Sequence, residues 1–264
     1  MRKETGRNQT VQQKKIRIVE VCCGSFYDVK QAAAGGADRI ELNSALALGG
    51  LTPSTATLRL VKEYNKELPV MAMVRPRGAG FCYLQEELQV MEEECLELLK
   101  NGADGIVFGC LRADASLDIE AVRRLLTRIK EFGKKAVFHR AFDCAANPFV
   151  MIEQLISLGV DRVLTSGQRK TAPEGAGLIG RLQEQYGRDI ELVAGSGVWA
   201  GNVEELIEKT GVFQVHSSCK TWLSDPTTIQ NGVSYQIADD ERVCQYDVVS
   251  AEAVRRLVKA VHKI

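Results

Sequence analysis

Short apolar runs recur along the chain, and almost every one closes on polar or charged side chains. Runs at 16–22, 38–43, 70–75, 105–109, 136–140, 162–166, 191–195 and 213–217 read as buried strands. Amphipathic stretches at 27–35, 53–66, 85–101, 118–132, 147–158, 173–186, 202–210 and 250–263 read as helices between and after them. Glu20 and Cys22 close the first strand, Glu41 and Asn43 the second, Arg75 and Arg77 the third. His139, Arg140 and Asp143 close the fifth, Thr165 and Ser166 the sixth, Ser196 the seventh, His216 and Ser217 the eighth. Only the fourth, ending Phe108-Gly109-Cys110, carries no such group.

A phrase repeats with the strands: Gly36-Ala37-Asp38-Arg39-Ile40, Gly102-Ala103-Asp104-Gly105-Ile106, Gly159-Val160-Asp161-Arg162-Val163, and a worn copy, Gly211-Val212-Phe213-Gln214-Val215. Each copy fits a helix ending at a glycine with positive φ, followed by a β-rich run. The repeat marks strands two, four, six and eight, so the chain resembles four copies of a two-strand unit. Eight strands alternating with eight helices imply a parallel sheet with right-handed crossovers. Fourfold symmetry favours its closure into a single-domain (β/α)8 TIM barrel over residues 16–264, with residues 1–15 a frayed tail. The segment 218–249 contains the turn signals Asp225-Pro226 and Asn231-Gly232. It is expected to fold over one end of the barrel or against a second copy in a homo-oligomer.

Composition narrows the partners. Thirty-four basic and thirty-four acidic residues cancel, which leaves no footprint for nucleic acid or an anionic membrane. No apolar stretch approaches the roughly 20 residues of a membrane span, and residues 1–15 have no signal-peptide core. Eight cysteines occur without any C-x-x-C pair, several in or beside apolar runs. This usage points to free thiols in a reducing, cytoplasmic compartment.

Buried ionisable groups are costly unless paired or used, so a ring of them at strand ends marks one shared site at a barrel mouth. Alternation along a strand aims Glu20, Glu41 and Arg75 inward together. A Glu-Arg network could instead neutralise itself and fill the interior. His139 reads as a general acid or base with Asp143 orienting it and Arg140 beside it; a histidine bonded in a packed layer is the plainer reading. Ser166-Gly167 and Gly195-Ser196-Gly197, with His216, are candidates for an anion site built from backbone N–H groups. Cys22, Cys23, Cys82, Cys110, Cys144 and Cys219 fall at strand ends or in the loops after them, where thiolates would suit Cu(I) or zinc.

Absences count as well. No lysine ends a strand, against a Schiff-base aldolase; no His-x-His closes the first, against a metal-dependent amidohydrolase. No Gly-x-Gly-x-x-Gly follows any strand, so no nucleotide cofactor is expected.

Glu20-Val21-Cys22, GGADRIEL (35–42), GGLTPS (49–54), VRPRG (74–78), GADGIVFG (102–109), FHRAFD (138–143), RVLTSG (162–167) and the Gly195–Gly197 loop together resemble the CutC family, from about residue 17 to the end. The resemblance implies a cytosolic (β/α)8 barrel linked to copper homeostasis, with Cu(I) bound through cysteine. It implies Cys22 as the copper thiol. At the second position, where some members have cysteine, this chain has Asn43, a poor Cu(I) donor; Cys23 or a loop thiol would have to substitute. The residues also support an enzyme acting on a small anionic, phosphate- or carboxylate-bearing metabolite, because two arginines serve oxyanion recognition better than soft-metal chemistry. A barrel whose mouth is only a polar plug is the third reading.

Overall fold

The computed structural model describes residues 16–237 and 241–264, so the expected tail lies outside the described residues. Eight parallel strands pair in chain order and close on themselves: β1 (Ile18–Cys23), β2 (Arg39–Leu42), β3 (Val70–Met73), β4 (Gly105–Phe108), β5 (Lys135–Phe138), β6 (Arg162–Thr165), β7 (Glu191–Gly195) and β8 (Gln214–Ser217). Helices follow each in turn: α1 (Phe26–Gly35), α2 (Thr55–Tyr64), α3 (Gln85–Lys100), α4 (Ile119–Glu131), α5 (Pro148–Leu158), α6 (Ala176–Tyr186), α7 (Val203–Thr210) and α8 (Ala251–Lys263). This is the (β/α)8 barrel that the alternating pattern predicts. No helix among the described residues is long and apolar enough to cross a membrane.

The repeat proves to be a joint between neighbouring strands. Gly36, Gly102, Gly159 and Gly211 each stand at positive φ, between 69° and 96°, where only glycine avoids strain. The aspartate two residues after each of the first three then reaches back to the preceding strand. Asp38 accepts from the Val19 N–H at 2.8 Å, Asp104 from Val70 at 3.0 Å and Asp161 from Ala136 at 2.8 Å. Each aspartate N–H returns a bond to the same residue's carbonyl. In the worn copy Phe213 lacks the carboxylate, and its carbonyl accepts from Ile18, closing the barrel.

Alternation divides the apolar residues into two bodies. Outward positions such as Val19, Val21, Ile40, Leu42, Ile106 and Phe138 pack with the helices in one continuous shell. A separate cluster inside the barrel consists of Met71, Met73, Val107 and Val137, all from β3, β4 and β5. The remaining arc of the interior is ionic. Arg39 ion-pairs with Glu20 and donates to Gln214 at 2.8 Å; Gln214 donates to Glu191 at 2.9 Å, and Glu191 pairs with Arg162. These residues floor the barrel at the N-terminal ends of the strands.

That floor corrects one expectation. Glu20 is matched by Arg39 and not by Arg75, because parallel register sets Glu20 opposite Arg39 while Arg75 lies beyond the end of β3. The fifth strand is also shorter than its apolar run suggests. It stops at Phe138, and the chain turns into a 3-10 helix, Arg140–Cys144, whose first free N–H, that of Ala141, is capped by His139 Nδ1.

The described residues of the segment, 218–237 and 241–249, leave the C-terminal end of β8 as an arm. Its base is an antiparallel pair, β9 (Lys220–Ser224) with β12 (Gln245–Val249), and further out β10 (Ile229–Gln230) and β11 (Val233–Ser234) form a hairpin over Asn231-Gly232. The Val249 N–H donates to Asp28 of α1 at 2.8 Å and anchors the base beside the barrel mouth.

Removing one member of the floor should be costly, since it strands a buried charge. Arg39→Met is expected to lose about 3–5 kcal/mol in urea denaturation, with much of that recovered when Glu20→Gln is added. An Arg39→Met protein as stable as wild type would show that the network contributes nothing to folding.

Candidate functional site

Above the floor a cavity of about 530 Å³ opens at the C-terminal ends of the strands, within the size range of small-molecule sites. Cys22, Glu41, Arg75, His139, Arg140, Asp143, Ser196, Gly197 and His216 all border it, so most of the predicted ring converges. Phe81, Cys144, Lys220 and Asp247 also line it; of these only Cys144 stands out in the sequence, because none of them lies on a barrel strand whose alternation would aim it.

On one side β1, β2 and β8 bring three donors together. Cys22 Sγ, a Glu41 carboxylate oxygen and a His216 ring nitrogen lie within 4.8 Å of one another. The Cys22 thiol donates to Glu41 Oε2 at 3.7 Å, and His216 Nε2 stands 3.9 Å from the same oxygen. His216 is oriented from behind, its Nδ1 bonded to Glu20 Oε1 at 2.8 Å. Glu20 therefore works beneath the cavity, linking the floor to His216, and does not line it.

Electrostatics here favour stored protons. Burial, reinforced by Glu41, pushes the Cys22 thiol up to about 12. Burial also raises Glu41, with Glu20's charge adding to the effect. Burial opposes charge on His216, but Glu41 together with hydrogen bonds to Cys22 and Glu20 outweighs it and holds the imidazole well above its ordinary value. For Glu20, burial is overcome by the Arg39 charge and by His216, and its carboxyl stays well below the usual range.

Several expected roles change. Cys23 points into the strand–helix shell, fully buried, so it cannot stand in as a ligand beside Cys22. Adjacent strand residues face opposite sides. Cys110 and Cys219 lie in the same shell, which leaves Cys22 and Cys144 as the cavity's thiols. Asn43 is a donor to the cluster, its Nδ2 reaching Glu41 Oε2 at 2.9 Å and Cys22 Sγ at 3.5 Å.

Asp143 does not orient His139. It accepts instead from Arg140 Nε at 2.8 Å, from the Ser166 hydroxyl and N–H, from Thr165 and from the Gln168 N–H. It is the built-in anion of the loop after β6. Ser166 and Gly167 are consequently no anion site: the Ser166 N–H is filled by Asp143, and the Gly167 N–H by Thr165 Oγ1 at 2.9 Å. Gly195 lies against His216, where a Cβ would meet the His216 Cβ at 3.2 Å. Ser196, at φ 79°, and Gly197 do face the cavity. His216 is itself claimed by two carboxylates, so it is not free for an external anion.

The silent fourth strand end acquires a reason. A Cβ on Gly109 would sit 2.5 Å from the His139 ring, so glycine there makes room for the imidazole.

A polar strand-end cavity in a closed parallel barrel defines the general class: a (β/α)8 protein with a cavity of small-molecule size at its mouth. The chain belongs to the CutC family, whose family model matches residues 17–221. It is 46% identical over 222 residues to a CutC protein of Treponema denticola, covering 84% of this chain and 89% of that one. It is 40% identical over 204 residues to the human copper homeostasis protein cutC homologue, covering 77% and 74%. A crystal structure of a CutC protein from Streptococcus agalactiae superposes with a TM-score of 0.73 at 33% identity, over 77% of this chain and 99% of that one. The copper homeostasis name is thus carried by the family this chain belongs to.

The thiol environment can be checked directly. Because alkylation needs the thiolate, Cys22 labelling by iodoacetamide should rise about tenfold per pH unit up to about pH 11. It should lag behind labelling of the exposed Cys82 and Cys144 near neutral pH. A plateau in Cys22 labelling near pH 8 would mean that the thiol is not held up by its surroundings.

Proposed function

We propose that the barrel mouth handles copper, a single Cu(I) ion being held as cargo by Cys22 Sγ and His216 Nε2 with Glu41 alongside, the ion displacing the thiol and Nε2 protons to solvent as it binds. The observation that carries this reading is the convergence of those three donor atoms within 4.8 Å at the wall of an open cavity. Thiolate and imidazole are suitable Cu(I) donors, whereas the carboxylate is hard and adds charge more than affinity. The Glu20–His216 bond supports the same reading, since a carboxylate on the far ring nitrogen fixes the ring of a metal-binding histidine. Asn43 contributes hydrogen bonds and no soft donor, so the site has one thiol. Eight free cysteines support a reducing compartment, the cytosol, as the place where it works.

A second reading is favoured by the cavity itself, which is far larger than a metal ion needs. An enzyme acting on a small anionic metabolite would use the same mouth, with Glu41 and His216, both raised above their ordinary values, placed for acid–base chemistry.

Anaerobic competition against a chromophoric Cu(I) chelator tests the first reading. Wild type should bind one equivalent, Cys22→Ser should abolish tight binding, and Glu20→Gln should weaken it about 10- to 100-fold by releasing the ring. Cys22→Ser and His216→Gln proteins that bind as tightly as wild type would exclude copper from this site.

A further inference from the structure

The part of the cavity wall past β3 and β5 has a different character. Arg75, just past β3, is 5% exposed, yet no carboxylate pairs with it among the described residues. Its guanidinium donates to the main-chain carbonyls of Leu48 at 2.9 Å, Gly50 at 3.0 Å and Ala79 at 2.7 Å, and lies 5.2 Å from the Phe81 ring centroid. Gly49 and Gly50, both at positive φ, let that loop approach; a Cβ on Gly49 would stand 3.1 Å from Arg75 Nη1. The Tyr83 phenol beside it stays neutral, because burial pushes its pKa up. No acceptor completes a well-formed hydrogen bond with Arg75 Nε among the described residues, although the Tyr83 hydroxyl interacts with the guanidinium. Carbonyls satisfy some of the N–H groups, but they leave the positive charge without a counter-ion in a buried position, which is an expensive arrangement.

His139 completes the wall. It is 4% exposed, its Nδ1 accepts from the Ala141 N–H, and the proton must therefore sit on Nε2. That nitrogen is also buried without a partner. Burial and the Arg75 charge drive the imidazole down to about 3, so it presents a neutral N–H donor. The Phe81 ring lies 4.9 Å from the His139 ring and 5.2 Å from the Arg75 guanidinium. On β2, the strand next to β3, Glu41 Oε1 and Asn43 Oδ1 are also buried without partners.

We propose that Arg75 and His139 form an oxyanion subsite, and that the cavity's ligand is a small organic acid or phosphate ester whose anionic group docks there while its other end meets Glu41, Cys22 and His216. Its anion supplies the counter-ion that Arg75 lacks, and a guanidinium beside an N–H donor suits the two oxygens of a carboxylate or phosphate. Arg140 at the rim already serves Asp143, so the charge that recognises the ligand is that of Arg75. This assignment rests on the cavity being a small-molecule site and is independent of copper.

The test is calorimetric titration of the full chain with inorganic phosphate and, separately, with succinate. Both titrations are repeated in Cys22→Ser, which removes the copper thiol. Saturable binding of either anion is expected in wild type and Cys22→Ser alike, weakened about tenfold or more in His139→Phe and in Arg75→Met. Tighter phosphate binding identifies a phosphate ester and tighter succinate binding an organic acid; either supports the subsite. Because Arg75 also pins two loops, Arg75→Met could fail to fold; His139→Phe, which keeps a ring against Phe81, then decides the outcome alone. No binding of either anion by wild type overturns the proposal, as does binding that His139→Phe leaves unchanged. Should a metabolite-extract screen capture a ligand indifferent to both variants, the small-molecule reading stands and the oxyanion subsite falls.

Discussion

Glu20 is a fully enclosed carboxylate on which both ends of the barrel interior depend. Below, it neutralises Arg39, and through Gln214 and Glu191 that pairing extends to Arg162. Above, its second oxygen takes the Nδ1 of His216 and turns Nε2 toward Glu41 and Cys22. A buried ion pair stabilises little compared with apolar packing, so the value of this one lies in what it orients. An apolar residue at position 20 would leave Arg39 without its charge partner and His216 without its anchor.

The interior is accordingly built in two halves. Along β3, β4 and β5 the inward residues are Met71, Met73, Val107 and Val137, which pack without polar demands. Along β1, β2, β6, β7 and β8 the lower inward residues, Glu20, Arg39, Arg162, Glu191 and Gln214, form the ionic floor. The cavity inherits this split. Cys22, Glu41 and His216 rise from the ionic arc, while Arg75 and His139 stand above the apolar arc, and Arg75 pairs with no carboxylate among the described residues.

Much of the architecture was legible because its signals are periodic. Gly-x-Asp recurs where strands must be joined, and apolar runs alternate with amphipathic helices, so the barrel and the convergence of Cys22, Glu41, His139 and His216 at its mouth could be read directly. Inference failed where alternation stops. After Phe138 the chain leaves the strand for a 3-10 turn, so Asp143 swings toward Ser166 and Arg140 instead of His139. Glu20 and Arg75 share an inward orientation yet lie in different layers, since inter-strand register sets which inward residues meet. The pairing of Arg39 and Arg162 was not legible, because both follow the repeat's aspartate at strand starts and their partners are set by inter-strand register.

Copper and the oxyanion make separate demands on the mouth. A soft ion engages Cys22 and His216 and leaves Arg75, His139, Phe81 and most of the cavity volume unexplained. An anionic molecule docked at Arg75 explains the uncompensated guanidinium and the neutral imidazole, and its far end lies where the thiol, the carboxylate and the protonated histidine meet. The two proposed ligands call on different groups of one cavity, Arg75 and His139 for the anion and Cys22 and His216 for the soft ion. That division follows from the way the eight strands share out polar residues. It makes the pocket suited to a molecule that is anionic at one end and a proton donor or metal-bearing at the other.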